Sequence, residues 1–269
     1  PIQSWLAASS HGLFCLSKTQ SLLMEEGGRL AQNRAAWNRK PGLRLVYEAI
    51  YRRIGAALVP GRTLEIGAGT GNFKEFAPDV VATDIQFAPW LDLIADAHLL
   101  PLEDGSVDNV VMVDVLHHLP RPLLGLTELA RVLRPGGRIV LAEPAITLGS
   151  TLFYRYLHHE PVDFSVDPFC DAPLWDDGDP YAANQAIPTL LFVREIDRFT
   201  RAIPGLRLHS RQWLNLLAYP LSGGFQRWTL LSAAMTRSLL ALEERLTPAI
   251  GRLTGFRILV VLEKTAQLE

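Results

Sequence analysis

From Leu43 onward the apolar positions Leu43, Val46, Tyr47, Ile50 and Ile54 recur every three or four residues, which places them on one face of a helix ending near Pro60-Gly61. Strand-like runs follow at Thr63–Ile66 and at residues 80–83, 91–94, 109–115 and 138–142. Between the last two, Leu126, Leu129, Ala130 and Leu133 form a helical stripe stopped by Pro135-Gly136-Gly137. Val110, Val111, Met112 and Val113 are apolar without a break, the pattern of a strand covered on both faces. Strands alternating with helices pair in parallel through right-handed crossovers, so the pattern predicts a doubly wound α/β domain.

The flanks depart from that rhythm. Residues 1–42 lack a clear strand, and Gly27-Gly28 divides them into helical pieces, so they read as a helical cap on a core spanning residues 43–150. Residues 160–179 hold seven acidic residues and no Lys or Arg, with Pro161, Pro168 and Pro173 among them. Such a stretch is too long for an ordinary connection, and residues 151–205 read as an inserted lid or substrate segment. The remainder, 206–269, returns to the core sheet: a strand at 206–209, one amphipathic helix marked by Trp228, Leu231, Met235, Leu239, Leu242 and Leu246, and a buried final strand at 256–263. The polar face of that helix mixes Arg237, Glu243, Glu244 and Arg245, so its stripe reads as core or dimer face in preference to a membrane-binding band.

Composition narrows the class. With 269 residues, 48% of them hydrophobic and 20% charged, the chain is a folded globular protein and not a disordered or disulfide-scaffolded one. Lys and Arg number 26 against 28 Asp and Glu, a net charge of −2, so no basic field exists to hold a nucleic acid. The two cysteines, Cys15 and Cys170, stand in no CxxC, which argues against a structural zinc site and makes a reducing, cytoplasmic location the expectation. Residues 1–15 lack the basic and continuous apolar regions of a secretion leader. The uncharged stretches 181–193 and 212–226 contain Pro or Gly and fall short of the ~20 apolar residues a span requires. A mean hydropathy of +0.13 leaves room for an apolar substrate pocket.

The candidate chemistry lies in Leu64-Glu65-Ile66-Gly67-Ala68-Gly69-Thr70-Gly71-Asn72-Phe73. A strand ends, the backbone turns through three alternate glycines, and a helix begins. Glycine suits such a turn because a Cβ would forbid positive φ and hold a ligand off the main chain. The dinucleotide fingerprint requires a third glycine where Asn72 stands, and Glu65 would repel a pyrophosphate but suit a cationic amino-acid moiety. Asp84 ends the second strand, where a carboxylate can accept both hydroxyls of a ribose. Asp96, in Ala95-Asp96-Ala97, follows the third and can accept from an adenine amine beside backbone that reads the ring. Adenosine joined to an amino acid is the ligand these positions imply.

The run resembles the class I S-adenosylmethionine-dependent methyltransferases, especially the small-molecule branch that includes quinone-biosynthesis enzymes. The matching blocks are Glu65-Ile66-Gly67-Ala68-Gly69-Thr70-Gly71, Asp84, Asp96-Ala97 followed by residues 100–108 (LPLEDGSVD), Val115-Leu116-His117-His118-Leu119, and Arg131-Val132-Leu133-Arg134-Pro135-Gly136-Gly137. They cover residues 45–145. The resemblance implies a mostly parallel, seven-stranded, Rossmann-like sheet in which an antiparallel strand, here residues 256–263, is inserted beside the fifth. It also implies S-adenosylmethionine as cofactor: Glu65 near the methionine amine, Gly67, Ala68, Gly69 and Gly71 along the methionine and ribose, Asp84 on the ribose diol, and Asp96 with Ala97 on adenine. Asp114, just before Val115, joins them as a candidate cofactor contact.

Methyl transfer needs alignment in a dry cavity, and a hydroxyl acceptor also needs somewhere to put its proton. His117 and His118 follow the fourth strand at the edge where such sheets bind ligands, and are the candidate catalytic residues; the alternative is that they cap the strand structurally. His158-His159-Glu160 with Asp163 and Asp167 could ligate a cation, but adjacent histidines point apart and acidic runs are usually solvated, so no metal is expected. Phe164, Phe169, Trp175 and Tyr181 either wall an apolar pocket or pack the insert onto the core. Trp37, Arg39, Arg44 and Tyr47 are placed to close over the cofactor, although helix packing explains Tyr47 equally well. The expected function is methyl transfer to a small molecule, an oxygen on an apolar or ring-containing acceptor, by a chain that could form a homodimer. An NAD(P)-dependent oxidoreductase and a non-catalytic cofactor-binding protein are the alternatives.

Overall fold

In the computed structural model, which describes residues 28–176 and 178–266, the strands follow in chain order as β1 (Thr63–Ile66), β2 (Val81–Asp84), β3 (Leu93–Ile94), β4 (Val107–Val113), β5 (Leu133–Pro144), β6 (Leu206–Leu214) and β7 (Arg257–Lys264). They form one seven-stranded sheet in the order β3-β2-β1-β4-β5-β7-β6. The first five are parallel, whereas β7 runs antiparallel between β5 and β6. The final strand expected at 256–263 therefore occupies the position the resemblance implies. Cys15 and most of the expected cap lie outside the described residues.

The helices are α1 (Arg29–Arg39), α2 (Pro41–Ala57), α3 (Phe73–Phe76), α4 (Pro122–Val132), α5 (Thr151–Tyr156), α6 (Ile187–Thr189), α7 (Ile196–Ala202), α8 (Ala218–Ser222) and α9 (Ala233–Thr254). A π-helical turn over Leu190–Arg194 joins α6 to α7. Among the described residues no helix is long and apolar enough to cross a membrane.

The unbroken apolar run of β4 has the predicted cause. Val110 and Met112 pack on one face of the sheet with Leu126 and Leu129 of α4, and Val111 packs on the other with Leu43, Val46, Ile50 and Ile54 of α2. Each face thus buries its own core, and the stripe read from Leu43 to Ile54 is the seam of the second. Leu133 leaves the α4 stripe to open β5, because the helix stops at Val132.

Two expectations change. The sixth strand extends from the expected 206–209 to Leu214; its alternating Arg207, His209 and Arg211 are exposed, the charge pattern that protects a sheet edge. More substantially, much of the apolar stripe of the long helix faces outward: Met235, Leu242 and Leu246 are 54%, 51% and 41% exposed, and Trp228 lies ahead of the helix. Of the stripe read as core or dimer face, Leu239 packs on the core beside Leu240, while these other residues do not. α9 docks through Leu239 and Leu240 and through small and polar positions, Gly251 against Trp213 and Thr236 against Gly42, where an added Cβ on either glycine would come within 2.9 Å of its neighbour. Hydrophobic periodicity points to the greasier side of a helix, while close approach selects the side with less bulk.

Candidate active site

Where β1 ends, the chain turns through Gly67, Gly69 and Gly71 with φ of +65°, +49° and +70°. L-residues adopt this region at a cost of about 1–2 kcal/mol, which explains the alternation. A Cβ on Gly67 would stand 2.4 Å from Val115 Cγ2, whereas one on Gly69 would meet nothing closer than Leu30 at 3.8 Å. Gly69 thus leaves bare main chain facing a crevice. The turn is pinned by Ala68 N–H donating to Thr83 O (2.8 Å) and Trp90 Nε1 donating to Gly69 O (2.8 Å). Arg34 of α1 lies over the Trp90 ring at 4.3 Å and donates to Thr70 O at 2.9 Å. The helix that follows, α3, is a single turn.

The acids expected at three neighbouring strand ends converge here, at different depths. Asp84 is buried at the crevice wall, with Oδ2 accepting from Gly69 N–H and Oδ1 from Gln86 N–H, both at 2.9 Å. Burial raises its pKa, opposed by those backbone hydrogen bonds. Asp96 and Ala97 line the same wall; burial raises Asp96, but hydrogen bonds from the His98 ring and N–H outweigh it and lower the carboxyl. Glu65 lies deeper, outside the lining residues. It is 4% exposed and its Oε2 has no hydrogen-bond partner, and burial with the nearby Asp84 charge pushes it up to about 8. A buried carboxylate oxygen without a partner fits a site that receives a cation.

Asp114 takes a left-handed φ of +58° at the end of β4. Its carboxylate is held by the Tyr47 hydroxyl, which donates to Oδ2 at 3.0 Å, and by an ion pair of Oδ1 with Arg257. Arg257 is itself buried and stacks over the Tyr219 ring at 4.0 Å. The structure therefore ties Asp114 to protein partners at the crevice wall.

Beyond Asp114, the crevice runs to a cluster of histidines. A 3₁₀ turn over Leu116–His118 brings the rings of His117 and His118 to 4.3 Å between centroids. His117 Nδ1 is 2.7 Å from Glu143 Oε2, and its Nε2 is 3.5 Å from Glu160 Oε2. The other Glu143 oxygen accepts from the N–H groups of Val115 and Leu116. Burial alone would lower His117, but the hydrogen bonds to Glu143 and Glu160 carry it up to about 10. His118 donates from Nδ1 to Ala182 O at 3.1 Å, so its Nε2 holds the lone pair; burial and the charge on His117 push it down to about 4.

The insert roofs this end. Leu157, His158, His159, Glu160, Tyr181 and Gln185 line the crevice, and the Tyr181 hydroxyl donates to Gln86 Oε1 at 3.0 Å. Phe169 and Trp175 pack against the core instead, and Phe164 lies under Arg194. Asp163 and Asp167 stay away from Glu160, bonded to Ser165 and Arg198. On the opposite rim Arg39 and Tyr47 line the crevice, Arg44 pairs with Glu75, and Trp37 is buried against Tyr47 and Tyr51. Lys40 ties down the neighbouring loop by donating to the carbonyls of Gly224, Gln226 and Trp228.

The whole crevice holds 2190 Å³, well above the roughly 300–1,000 Å³ of a single small-ligand pocket, so it has room for a cofactor and an acceptor together. Sequence reasoning missed Glu143, Tyr219 and Arg257. The last left a signal, a cation directly ahead of the apolar run Ile258–Leu262.

The family model described as a methyltransferase domain matches residues 64–141. Over 132 residues the chain is 36% identical to the demethylmenaquinone methyltransferase of Renibacterium salmoninarum, covering 42% of this chain and 53% of that protein. Over 136 residues it is 35% identical to the Deinococcus radiodurans protein of the same name, covering 40% and 56%. The chain spans about half the length of these curated relatives. A crystal structure of a SAM-dependent methyltransferase from Thermotoga maritima superposes with a TM-score of 0.51 at 17% identity, over 83% of this chain and 92% of that one, a likeness of fold. Residues 64–141 are thus those of a methyltransferase domain, and over this core the chain is similar to the demethylmenaquinone methyltransferases, a resemblance to the class I S-adenosylmethionine-dependent methyltransferases.

Proposed function

We propose that this protein transfers a methyl group from S-adenosylmethionine to an oxygen of a small, apolar or ring-containing acceptor. The observation that carries the reading is the bare main chain at Gly69, opening onto the same crevice as Asp84, Asp96, His117 and His118. When bound, the cofactor supplies a methyl group on a positively charged sulfur.

The chain's own residues do the rest. Gly67, Ala68, Gly69 and Gly71 let the methionine and ribose approach the backbone. Asp84 accepts the ribose hydroxyls with lone pairs that its two backbone donors leave over, since a carboxylate offers about four acceptor sites. Asp96 and Ala97, on the crevice wall, take the adenine, and the unpartnered oxygen of the buried Glu65 supplies the acceptor for the ammonium. Asp114 shapes the wall between the two halves. His117 and His118 sit at the acceptor end, where the charged His117 ring and the Nε2 lone pair of His118 orient the hydroxyl. Phe153, Tyr219, Phe225 and Trp228 line the crevice and suit an apolar ring, a reading to which the name of the demethylmenaquinone relatives adds support.

Isothermal titration with S-adenosylhomocysteine, followed by mass-spectrometric detection of labelled methyl on a panel of phenols and quinols, tests the reading. Expected are saturable binding and an O-methylated product. Binding of NADH with no affinity for S-adenosylhomocysteine would overturn it.

A further inference from the structure

Glu160 stands inside a ring of histidines. Its Oε2 is 3.5 Å from His117 Nε2, and its Oε1 is 3.9 Å from His118 Nε2 and 3.5 Å from His159 Nε2. The ligand atoms of His117, His118 and Glu160 all lie within 4.8 Å of one another. Donors bound at about 2.1 Å to one ion stand no more than about 4.2 Å apart, so sub-ångström rotations close this trio on a single centre. Adjacent histidines point apart along a strand or an extended loop. Here the 3₁₀ turn over Leu116–His118 swings both rings to one side, 39° from coplanar.

The surroundings of the trio are those of metal ligands. An imidazole that binds a metal through one nitrogen typically donates its other N–H to a carboxylate or a backbone carbonyl, which fixes the tautomer. His117 does so to Glu143, whose second oxygen is anchored by two backbone N–H groups, and His118 does so to Ala182 O. Glu160 is in turn held by Gln185 Nε2. Both nitrogens facing Glu160 are therefore Nε2 atoms, oriented from behind, and an ion bound there takes the place of the proton that His117 otherwise holds toward Glu160 and releases it to water.

We propose that His117, His118 and Glu160 bind a divalent transition-metal ion of the zinc or ferrous type at the acceptor end of the crevice. Two imidazoles and one carboxylate select such an ion over magnesium or calcium, which favour all-oxygen shells. Three protein ligands leave positions open toward the crevice. The role of the ion rests on the methyltransferase reading; its binding does not. A hydroxyl of the acceptor coordinated there has its pKa lowered and loses its proton to water. The oxygen lone pair then forms the bond to the methyl carbon as the carbon–sulfur bond breaks, its electron pair staying on sulfur.

The test uses the chelator-treated full chain, titrated with Co²⁺ followed by visible absorption and with Zn²⁺ by competition. One ion per chain is expected. His118→Ala and Glu160→Ala should each weaken Co²⁺ binding by about tenfold or more, and Glu143→Gln, acting through His117, by about 10- to 100-fold. Binding of S-adenosylhomocysteine, measured on the same samples, should be unchanged in His118→Ala and Glu160→Ala, which also certifies their fold. Absence of stoichiometric Co²⁺, or equal affinity in those two variants and the wild type, overturns the metal site and leaves the methyltransferase reading standing. Ion binding in a protein with no affinity for S-adenosylhomocysteine does the reverse.

Discussion

Glu65→Gln isolates the cost of keeping a carboxyl beneath the glycine turn. Burial and the charge of Asp84 push Glu65 up to about 8 from an ordinary value of 4.5. A carboxyl that holds its proton more tightly when folded favours the fold only while protonated. Its contribution is complete below pH 4.5, declines as the pH rises through the interval, and is gone above about pH 8. At about 1.36 kcal/mol per pH unit, the loss across that interval has a ceiling on the order of 5 kcal/mol. Gln keeps the shape and has no proton to lose, so the variant should match the wild type near pH 5 and exceed it increasingly toward pH 8. Even half the ceiling, about 2–3 kcal/mol, raises Tm by several degrees in a chain of this size. Urea midpoints at pH 5 and pH 8 measure the effect, because the difference between the two proteins cancels every other titrating group. An identical difference at both pH values would refute the reasoning. The same variant should bind S-adenosylhomocysteine about tenfold more weakly, the ammonium having lost its carboxylate.

Three further outcomes follow from the geometry. Asp84→Ala should raise the Kd for S-adenosylhomocysteine roughly tenfold to a hundredfold, about 1–3 kcal/mol, by calorimetry; an unchanged Kd removes Asp84 from the ribose site. Arg257→Leu leaves Asp114, whose side chain is 26% exposed, without its counter-charge, and should lower unfolding free energy by about 3 kcal/mol. Adding Asp114→Asn should restore part of that loss, and purely additive penalties would show the pair is not coupled. Gly67→Ala forces a Cβ against Val115 at a φ of +65° and should abolish cofactor binding and lower Tm. Adding Val115→Ala should relieve the clash but leave the backbone cost of about 1–2 kcal/mol, read as incomplete recovery of Tm.

The core was legible because its patterns have one physical solution. Val110 through Met112 must be covered on both sides, and Gly67, Gly69 and Gly71 mark positive φ that few other residues accept. The strand-end acids could be located by counting, but their depth could not: Asp84 and Asp96 reach the crevice while Glu65 lies under the turn. Long-range partners were invisible for the same reason. Nothing local to His117 announces Glu143 and Glu160, which arrive from the end of β5 and from the insert. The outward turn of Met235, Leu242 and Leu246 on α9 marks the limit of periodicity, since beside Leu239 the docking is set by the close approach of Gly42, Thr236 and Gly251, which score poorly on any hydrophobic scale.

The position of β7 bears on how the molecule is assembled. Its partners on either side, β5 and β6, precede it in the chain, yet they join one sheet only through it. During synthesis the outer flank of β5 must wait, bare and apolar, while the insert, β6 and α9 emerge from the ribosome. A truncation just before Arg257 should therefore yield not a smaller enzyme but a chain with an unfilled slot, prone to recruit the corresponding strand of a neighbour.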